Sequence, residues 1–158
     1  MRKRITGPHS AEPGTKTDEG WFHLDQIATV EVTSEDPEFP IEAALQPTEG
    51  SGWRASEPGE QTIRVIFDEP RRLDRIQLRF HEEQAERTQE FVLRWLPAGG
   101  GSVREIVRQQ WNFSPAGSTK QVEDYSVDLE DVLAVELAIR PDIGARRVIA
   151  TLASMRLR

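Results

Sequence analysis

The chain has 158 residues, a formal net charge of −7 at pH 7, a hydrophobic fraction of 37% and a charged fraction of 30%. This length suits one domain with a two-layer core, and the high charged fraction predicts a thin sandwich with a large solvated surface. The acidic balance disfavours general nucleic-acid binding, which depends on the neutralisation of phosphates by lysine and arginine.

The N-terminal residues 1–20 are rich in Gly, Pro, Ser, Thr and charge and show no apolar periodicity, which predicts a flexible leader. Behind the basic Met1–Arg4, this stretch lacks the apolar run of a signal peptide. No segment approaches the roughly 18 consecutive apolar residues of a membrane span. The chain contains no cysteine, which favours a reducing compartment. We therefore expect a cytoplasmic protein with one domain over residues 21–158.

From residue 27 onwards, apolar residues alternate with polar ones in short segments that end in turn-forming residues. A period of two predicts antiparallel strands with one buried and one solvated face. Turns at Pro97–Gly101 and Ser114–Gly117 and the lack of a 3.6-residue period predict an all-β sandwich or barrel. The eight segments are Ile27–Thr33, Gln61–Asp68, Leu73–Phe80, Gln89–Leu96, Ser102–Phe113, Lys120–Leu129, Val132–Arg140 and Arg147–Leu157.

The apolar side of these segments defines the expected core. The stretch His81–Gln89 lacks an apolar stripe, so we expect a polar loop there rather than a helix. The residues expected to be mostly buried are Val30, Val32, Val65, Phe67, Ile76, Leu78, Leu93, Val127, Leu137 and Met155.

Three motifs in a fixed order resemble a known family. They are Pro40–Leu45 (PIEAAL), Gly52–Ala55 (GWRA) and, after a strand, Asp68–Ile76 (DEPRRLDRI). An alanine-leucine turn, a tryptophan and an acidic-proline turn follow one another in this way in discoidin domains, also called coagulation factor 5/8 type C or galactose-binding-like domains. Glu90–Leu96 and Thr151–Leu157 fall in the matching order. The resemblance implies an antiparallel jelly-roll β-sandwich of about eight strands.

The residues of these motifs have a physical role in such a sandwich. The Trp53 indole is suited to plugging the sandwich edge where a loop crosses it. Gly50 and Gly52 beside it predict a tight approach with positive φ. Pro70 is expected to close a turn between two antiparallel strands.

Many members of the family hold a calcium ion, with an Asp-Gly after the alanine-leucine pair and a Glu in the last strand. The corresponding turn here is Leu45–Thr48 (LQPT), and the last strand offers Ser154–Arg156 (SMR), so the oxygen ligands are missing. Asp36, Glu42 and Glu49 lie nearby in the sequence as other oxygen donors. We expect no metal and no cofactor. The terminal disulfide of extracellular members is also missing, which fits an intracellular branch.

Catalytic motifs are missing from the sequence. There is no cysteine nucleophile and no Gly-x-Ser-x-Gly or His-Glu-x-x-His spacing. His9, His23 and His81 lie in three separate contexts, and Glu82 and Glu83 would point to opposite faces of a strand. We expect a non-catalytic binding module.

The resemblance also implies where a ligand would bind, because sugar-binding relatives of this fold use loops at the sandwich tip. Arg79 and His81 share one strand face, Glu82 follows them, and Trp111 ends another strand. Guanidinium, imidazole and carboxylate groups suit vicinal hydroxyls, and an aromatic ring suits the C–H face of a sugar. We therefore predict a ligand-binding set of Arg79, His81, Glu82 and Trp111. In the alternative, His81 begins an ordinary polar loop and Trp111 packs in the core.

A second candidate surface is the loop Ser34–Pro40, where Phe39 stands between two prolines and near three acids. A proline-fixed loop with an aromatic ring suits protein binding, unless Phe39 tucks under the sheet. Two functions therefore remain open: carbohydrate recognition by tip loops, or an intracellular protein-interaction or assembly module like the DNA-repair scaffold domains that share this fold. The sequence leaves the oligomeric state open.

Overall fold

A computed structural model, which describes residues 20–46, 50–144 and 146–158, consists mainly of β-strands. Its two helices are single turns, α1 (Leu24–Ile27) and α2 (Glu42–Leu45). The predicted all-β class is confirmed, whereas the predicted leader, residues 1–20, lies outside the described residues except for Gly20. The strands are β1 (Ala28–Val32), β2 (Trp53–Pro58), β3 (Gln61–His81), β4 (Arg87–Pro97), β5 (Arg104–Phe113), β6 (Lys120–Arg140), β7 (Ile149–Leu152) and β8 (Ser154–Leu157).

The strands pair in antiparallel fashion and form two layers. The larger layer has the strand order β1-β3-β6-β4-β5, and β8 pairs with the second half of β3 in the other layer. β2 pairs with β7 as a separate two-stranded sheet. The long strands β3 and β6 belong to both layers: Gln61–Ile66 pairs with Ala134–Ile139 in one, and Arg75–His81 pairs with Lys120–Ser126 in the other. The paired ribbon of β3 and β6 therefore folds over on itself, as in a jelly roll.

The prediction of separate strands at Gln61–Asp68 and Leu73–Phe80, with a turn at Pro70, is wrong. The structure has one bent strand, β3, and β6 likewise combines two predicted segments. Both strands bend at the same level, so their pairing shifts register and resumes, and Arg71 still pairs with Val132 inside the bend. Asp131 takes the irregular position on β6, with φ of 53°.

The described residues nevertheless contain eight strands, as predicted. The segment predicted as one strand over Arg147–Leu157 divides at Ala153 into β7 and β8, and Trp53–Pro58 adds β2. The helices in the described part of the chain are too short to cross a membrane.

The core lies between the two layers and follows the predicted alternation. Val30, Val32 and Val127 are partly buried and pack against the core. The other expected core residues are fully buried: Val65, Phe67, Ile76, Leu78, Leu93, Leu137 and Met155.

The loop between β1 and α2 is held against β2 by two aromatic residues. Trp53 is only 1% exposed, and its Nε1 donates to the carbonyl oxygen of Ser34 at 3.2 Å, which confirms its predicted place at the sandwich edge. The guanidinium of Arg54 lies 4.6 Å from the ring centroid of Phe39. Phe39 is therefore partly covered and packs against β2.

The two glycines beside Trp53 are needed for different reasons. Gly52 has φ of +82°, as predicted, and a Cβ there would lie 2.9 Å from the carbonyl oxygen of Leu152. Gly50 does not have positive φ, so that part of the prediction is wrong. A Cβ at Gly50 would lie 2.6 Å from the carbonyl oxygen of Ala43, so close approach of the backbone requires the glycine.

Candidate ligand-binding site at the sandwich tip

The fold brings the end of β3 and the end of β6 to one end of the sandwich, called the tip below. Arg87, the first residue of β4, connects them. Its Nε donates to Oε1 of Glu82 at 2.7 Å, just after β3, and its Nη1 donates to the carbonyl oxygen of Pro141 at 2.8 Å, just after β6. These two contacts fix the loops of the tip relative to each other.

The Arg87 side chain is completely buried. Its guanidinium lies 4.8 Å from the ring centroid of Phe113, and its Nη1 also donates to Oε1 of Gln89 at 3.0 Å. A buried charge is tolerated only with hydrogen bonds and a counter-charge. Glu82 is the ion-pair partner of Arg87 in the described part of the chain.

The environment of Glu82 favours its charged form. Burial by itself raises the pKa of the Glu82 carboxyl, but hydrogen bonds from Arg87 and from the backbone N–H groups of Gln84 and Ala85 outweigh burial and hold that pKa below its usual value. The Glu82 carboxylate therefore stabilises the loop after β3 and compensates the charge of the buried Arg87.

Asp142 fixes the loop that follows β6. It is 6% exposed; its Oδ1 accepts the backbone N–H of Thr88 at 3.1 Å, and its Oδ2 accepts the backbone N–H of Arg146 at 3.2 Å. Burial raises the pKa of the Asp142 carboxyl, but these hydrogen bonds and the Arg146 guanidinium hold it below its usual value. The backbone N–H of Ile143 also donates to the Thr88 carbonyl at 2.8 Å, and Arg146 donates to the carbonyl of Glu86.

The fixed loop forms one wall of a pocket of about 440 Å³, called the tip pocket. The β2–β3 turn, Pro58–Glu60, forms a second wall, and the remaining lining comes from Arg140–Ile143, Arg146 and Arg147. Gly59 has φ of +95° in this turn, a conformation that favours glycine. Both walls are held by backbone geometry or buried hydrogen bonds, so the pocket is formed without a ligand.

The guanidinium groups of Arg140 and Arg147, which line the tip pocket, have N–H donors that no described residue accepts. Arg140 lies opposite Glu90 on β4, but the Glu90 carboxylate accepts hydrogen bonds from Arg108 and Gln110, each at 3.0 Å. The side chains of Arg140 and Arg147 form no hydrogen bond or ion pair with another described residue, although the Arg140 charge lowers the pKa of the Glu90 carboxyl. Both side chains line the tip pocket.

The predicted residues Arg79 and His81 lie side by side on the outer face of β3, as expected. Arg79 pairs with Val122 and His81 with Lys120 on β6. The His81 Nε2 lies 3.1 Å from Oε1 of Glu83, and the imidazole is 42% exposed. Their contact with a ligand stays a prediction.

Trp111 lies on a different face. It is directly opposite Gln89, which is buried and donates through Nε2 to Oε1 of Gln121 at 3.2 Å. Directly opposite residues share a face, so Trp111 is on the core side of the edge strand β5, where it remains 36% exposed. Trp111 and the Arg79–His81 pair therefore do not share one surface.

None of the four predicted residues is among the described residues that line the tip pocket. Sequence reasoning missed Arg140, Asp142 and Arg147, because Pro141 was taken only as the end of a strand. A signal was present: three arginines flank a Pro-Asp and a Gly within eight positions, Arg140–Arg147, directly after a strand. Such a charged loop at a strand end is a common place for binding residues.

Asp36, Glu42 and Glu49 were considered above as oxygen donors for a metal ion near the Leu45–Thr48 turn. Asp36 accepts the backbone N–H of Glu38 at 3.0 Å, and Glu49 lies outside the described residues. In the described ranges, no group of three or more His, Asp or Glu side chains is arranged to hold a metal ion. The expected lack of calcium stays a prediction.

Comparison with known proteins gives structural likeness only. No protein-family model and no curated protein matches the sequence. A family 32 carbohydrate-binding module from Clostridium perfringens in complex with GalNAc-β-1,3-galactose is similar in structure, with a TM-score of 0.60 and 15% identity over 82% of this chain and 94% of that chain.

Two further structures extend the likeness. The family 32 module of AlyQ in complex with 4,5-unsaturated mannuronic acid has a TM-score of 0.55 and 14% identity over 84% of this chain and 95% of that chain. Reduced XRCC1 bound to the DNA polymerase β catalytic domain has a TM-score of 0.57 and 12% identity over 84% and 95% of the two chains. At these identities the likeness concerns the fold. The chain has the antiparallel jelly-roll β-sandwich of the discoidin, or galactose-binding-like, domains.

Proposed function

We propose that the domain is a non-catalytic carbohydrate-binding module that holds its ligand in the tip pocket. The observation that carries the proposal is a pocket of about 440 Å³ lined by Arg140 and Arg147, whose side chains form no hydrogen bond with another described residue. Small-ligand sites in proteins commonly have volumes of roughly 300–1,000 Å³ and a few well-placed polar groups.

The chemistry of the lining suits a sugar ring. Each guanidinium offers paired N–H groups at a spacing that matches two neighbouring oxygen atoms. The half-buried Pro58 and the exposed Ile143 supply apolar surface for the C–H face of the ring. Because Asp142 and Arg87 hold the walls in place, little ordering free energy is lost when a ligand binds.

The comparisons support the same class of ligand. Two family 32 modules with this fold were solved with GalNAc-β-1,3-galactose and with 4,5-unsaturated mannuronic acid. The transfer of sugar binding from them to this chain is part of the proposal, and so is the lack of catalysis.

A glycan array followed by titration calorimetry on the best ligand tests the proposal. We expect Arg140→Ala and Arg147→Ala each to weaken binding about 10-fold, because each removes charge-assisted hydrogen bonds to the ligand. Arg72→Ala is the matched control, since Arg72 is exposed on β3 near its bend and pairs only with exposed acids among the described residues.

Unchanged affinity in both Arg140→Ala and Arg147→Ala would mean that the ligand binds at another surface. If no glycan binds and the domain instead captures a protein in a pull-down, the protein-interaction alternative replaces the proposal. The likeness to XRCC1, which was solved bound to the DNA polymerase β catalytic domain, supports that alternative.

A further inference from the structure

The charges around the tip pocket are unequally compensated. Three guanidinium groups, Arg140, Arg146 and Arg147, stand against two carboxylates, Glu60 and Asp142. The Asp142 carboxylate is committed to Arg146, with Oδ2 3.4 Å from Nε. The lining residues by themselves therefore carry one net positive charge, although the whole chain carries −7.

The side chains of the two remaining arginines form no ion pair with another described residue. Glu90, the acid opposite Arg140, is near enough for the Arg140 charge to lower the pKa of its carboxyl, but its two oxygens accept hydrogen bonds from Arg108 and Gln110. Arg147 has no ion pair with any other residue in the described ranges. Glu60 is the one further acid among the described lining residues, so it can offset at most one of these two guanidinium charges.

We infer that the tip pocket selects saccharides that carry a carboxylate, with Arg140 and Arg147 pairing with that group; this inference rests on the proposed function. A carboxylate matches the guanidinium fork with two parallel N–H···O bonds and adds an attraction between opposite charges that a neutral hydroxyl does not supply. A neutral sugar fills the same space but leaves the positive charge of the pocket uncompensated.

The apolar part of the pocket distinguishes an acidic sugar from a free anion. Pro58 and Ile143 lie beside the arginines and would cover the C–H face of a ring. Acetate or inorganic phosphate can use the guanidinium groups but not this surface. We therefore expect a sugar acid to bind more tightly than either ion.

The test compares saccharides that differ only in the carboxyl group. The probes are tetragalacturonate, its methyl ester and its carboxyl-reduced form, a neutral tetragalactoside, with tetramannuronate as a second acid. Calorimetry gives the Kd of each for the wild type, Arg140→Gln, Arg147→Gln and the control Arg72→Gln. Melting temperatures verify that every variant is folded.

We expect one of the acids to bind the wild type about 10-fold more tightly than the neutral forms, and this preference to disappear in the two pocket variants only. Raising NaCl from about 50 to about 300 mM should weaken acid binding and leave neutral binding nearly unchanged. Equal affinity for acidic and neutral forms, with dependence on Arg140, would overturn the inference and leave the proposed function standing. Binding of no saccharide at all would overturn both. Competition by acetate or phosphate at the same concentration as the sugar acid would also overturn the inference, because the pocket would then be a simple anion site.

Discussion

Arg87 carries its charge inside the tip, and Glu82 is the acid that compensates it. The Arg87 side chain is 0% exposed and that of Glu82 is 14% exposed, so neither is well solvated. Desolvation makes such a pair a small net gain when it is intact but a large loss when one partner is removed. The pair therefore holds the tip loops together, and substitution of either residue should destabilise the fold.

Glu82→Gln should lower the free energy of unfolding at pH 7 by about 3 kcal/mol, because glutamine leaves the buried Arg87 without a counter-charge. Urea denaturation measures the difference. The neighbouring Glu83→Gln is the control: its carboxylate is 70% exposed and pairs only with His81 among the described residues, so its loss should cost less than about 0.5 kcal/mol. Equal losses in the two variants would contradict a structural role for the pair.

The same variant should change the dependence of stability on pH. The pKa values of Glu82 and Asp142 are held below their usual values in the folded protein. Their contribution is therefore complete above the ordinary carboxyl pKa of about 4 and is lost as the pH falls through the folded pKa. The free energy of unfolding should decline below about pH 5, less steeply in Glu82→Gln than in the wild type. An equally steep decline in both would contradict the assignment of the pKa shift to Glu82.

At the scale of elements, the loop after β6 owes its shape to a strand far away in the sequence. Asp142 is 54 residues from Thr88, and both Thr88 and Ile143 take part in hydrogen bonds between the loop and β4. A loop held in this way keeps a pocket wall rigid without help from the ligand. Its rigidity should depend on Asp142 more than on any contact with a ligand.

Asp142→Asn should loosen the loop, because the amide NH₂ cannot accept from the Arg146 backbone as the carboxylate oxygen does. We expect the Arg146 amide to exchange its hydrogen about 5- to 10-fold faster, as the loss of roughly 1 kcal/mol of hydrogen bonding implies. Hydrogen exchange by NMR measures this. Asp128→Asn is the control, since Asp128 is 77% exposed and lies on β6 near its bend. Unchanged protection of Arg146 would mean that Asp142 does not hold the loop.

The sequence predicted some features of β3, β6 and the tip loops but not others. Alternation of apolar and polar residues predicted the strands and the buried face of β3, including Ile76 and Leu78, because that pattern is local. It could not predict that two segments merge through the bend near Pro70, since pairing there depends on β6. It also missed the partners of Glu82 and Asp142, because contacts between Arg87 and Pro141 form only after the ribbon of β3 and β6 has folded over.

At the scale of the whole molecule, an acidic protein presents a locally basic pocket at one end. The net charge of −7 disfavours general binding of polyanions, whereas Arg140 and Arg147 act only over the Debye length of about 8 Å at physiological salt. A short acidic saccharide can use that local field.

We propose that the ligand binds in the tip pocket rather than at Arg79, His81, Glu82 and Trp111, the residues expected from the sequence. An NMR titration of the ¹⁵N-labelled domain with its best glycan tests this directly, because every backbone amide and each Trp indole N–H reports its own surroundings. We predict the largest shift changes at the amides of Gly59, Ile143 and Arg147, with little change at His81 or at the Trp111 indole. If the largest changes occur at His81 or Trp111 and none occur around Arg147, the ligand does not bind in the tip pocket.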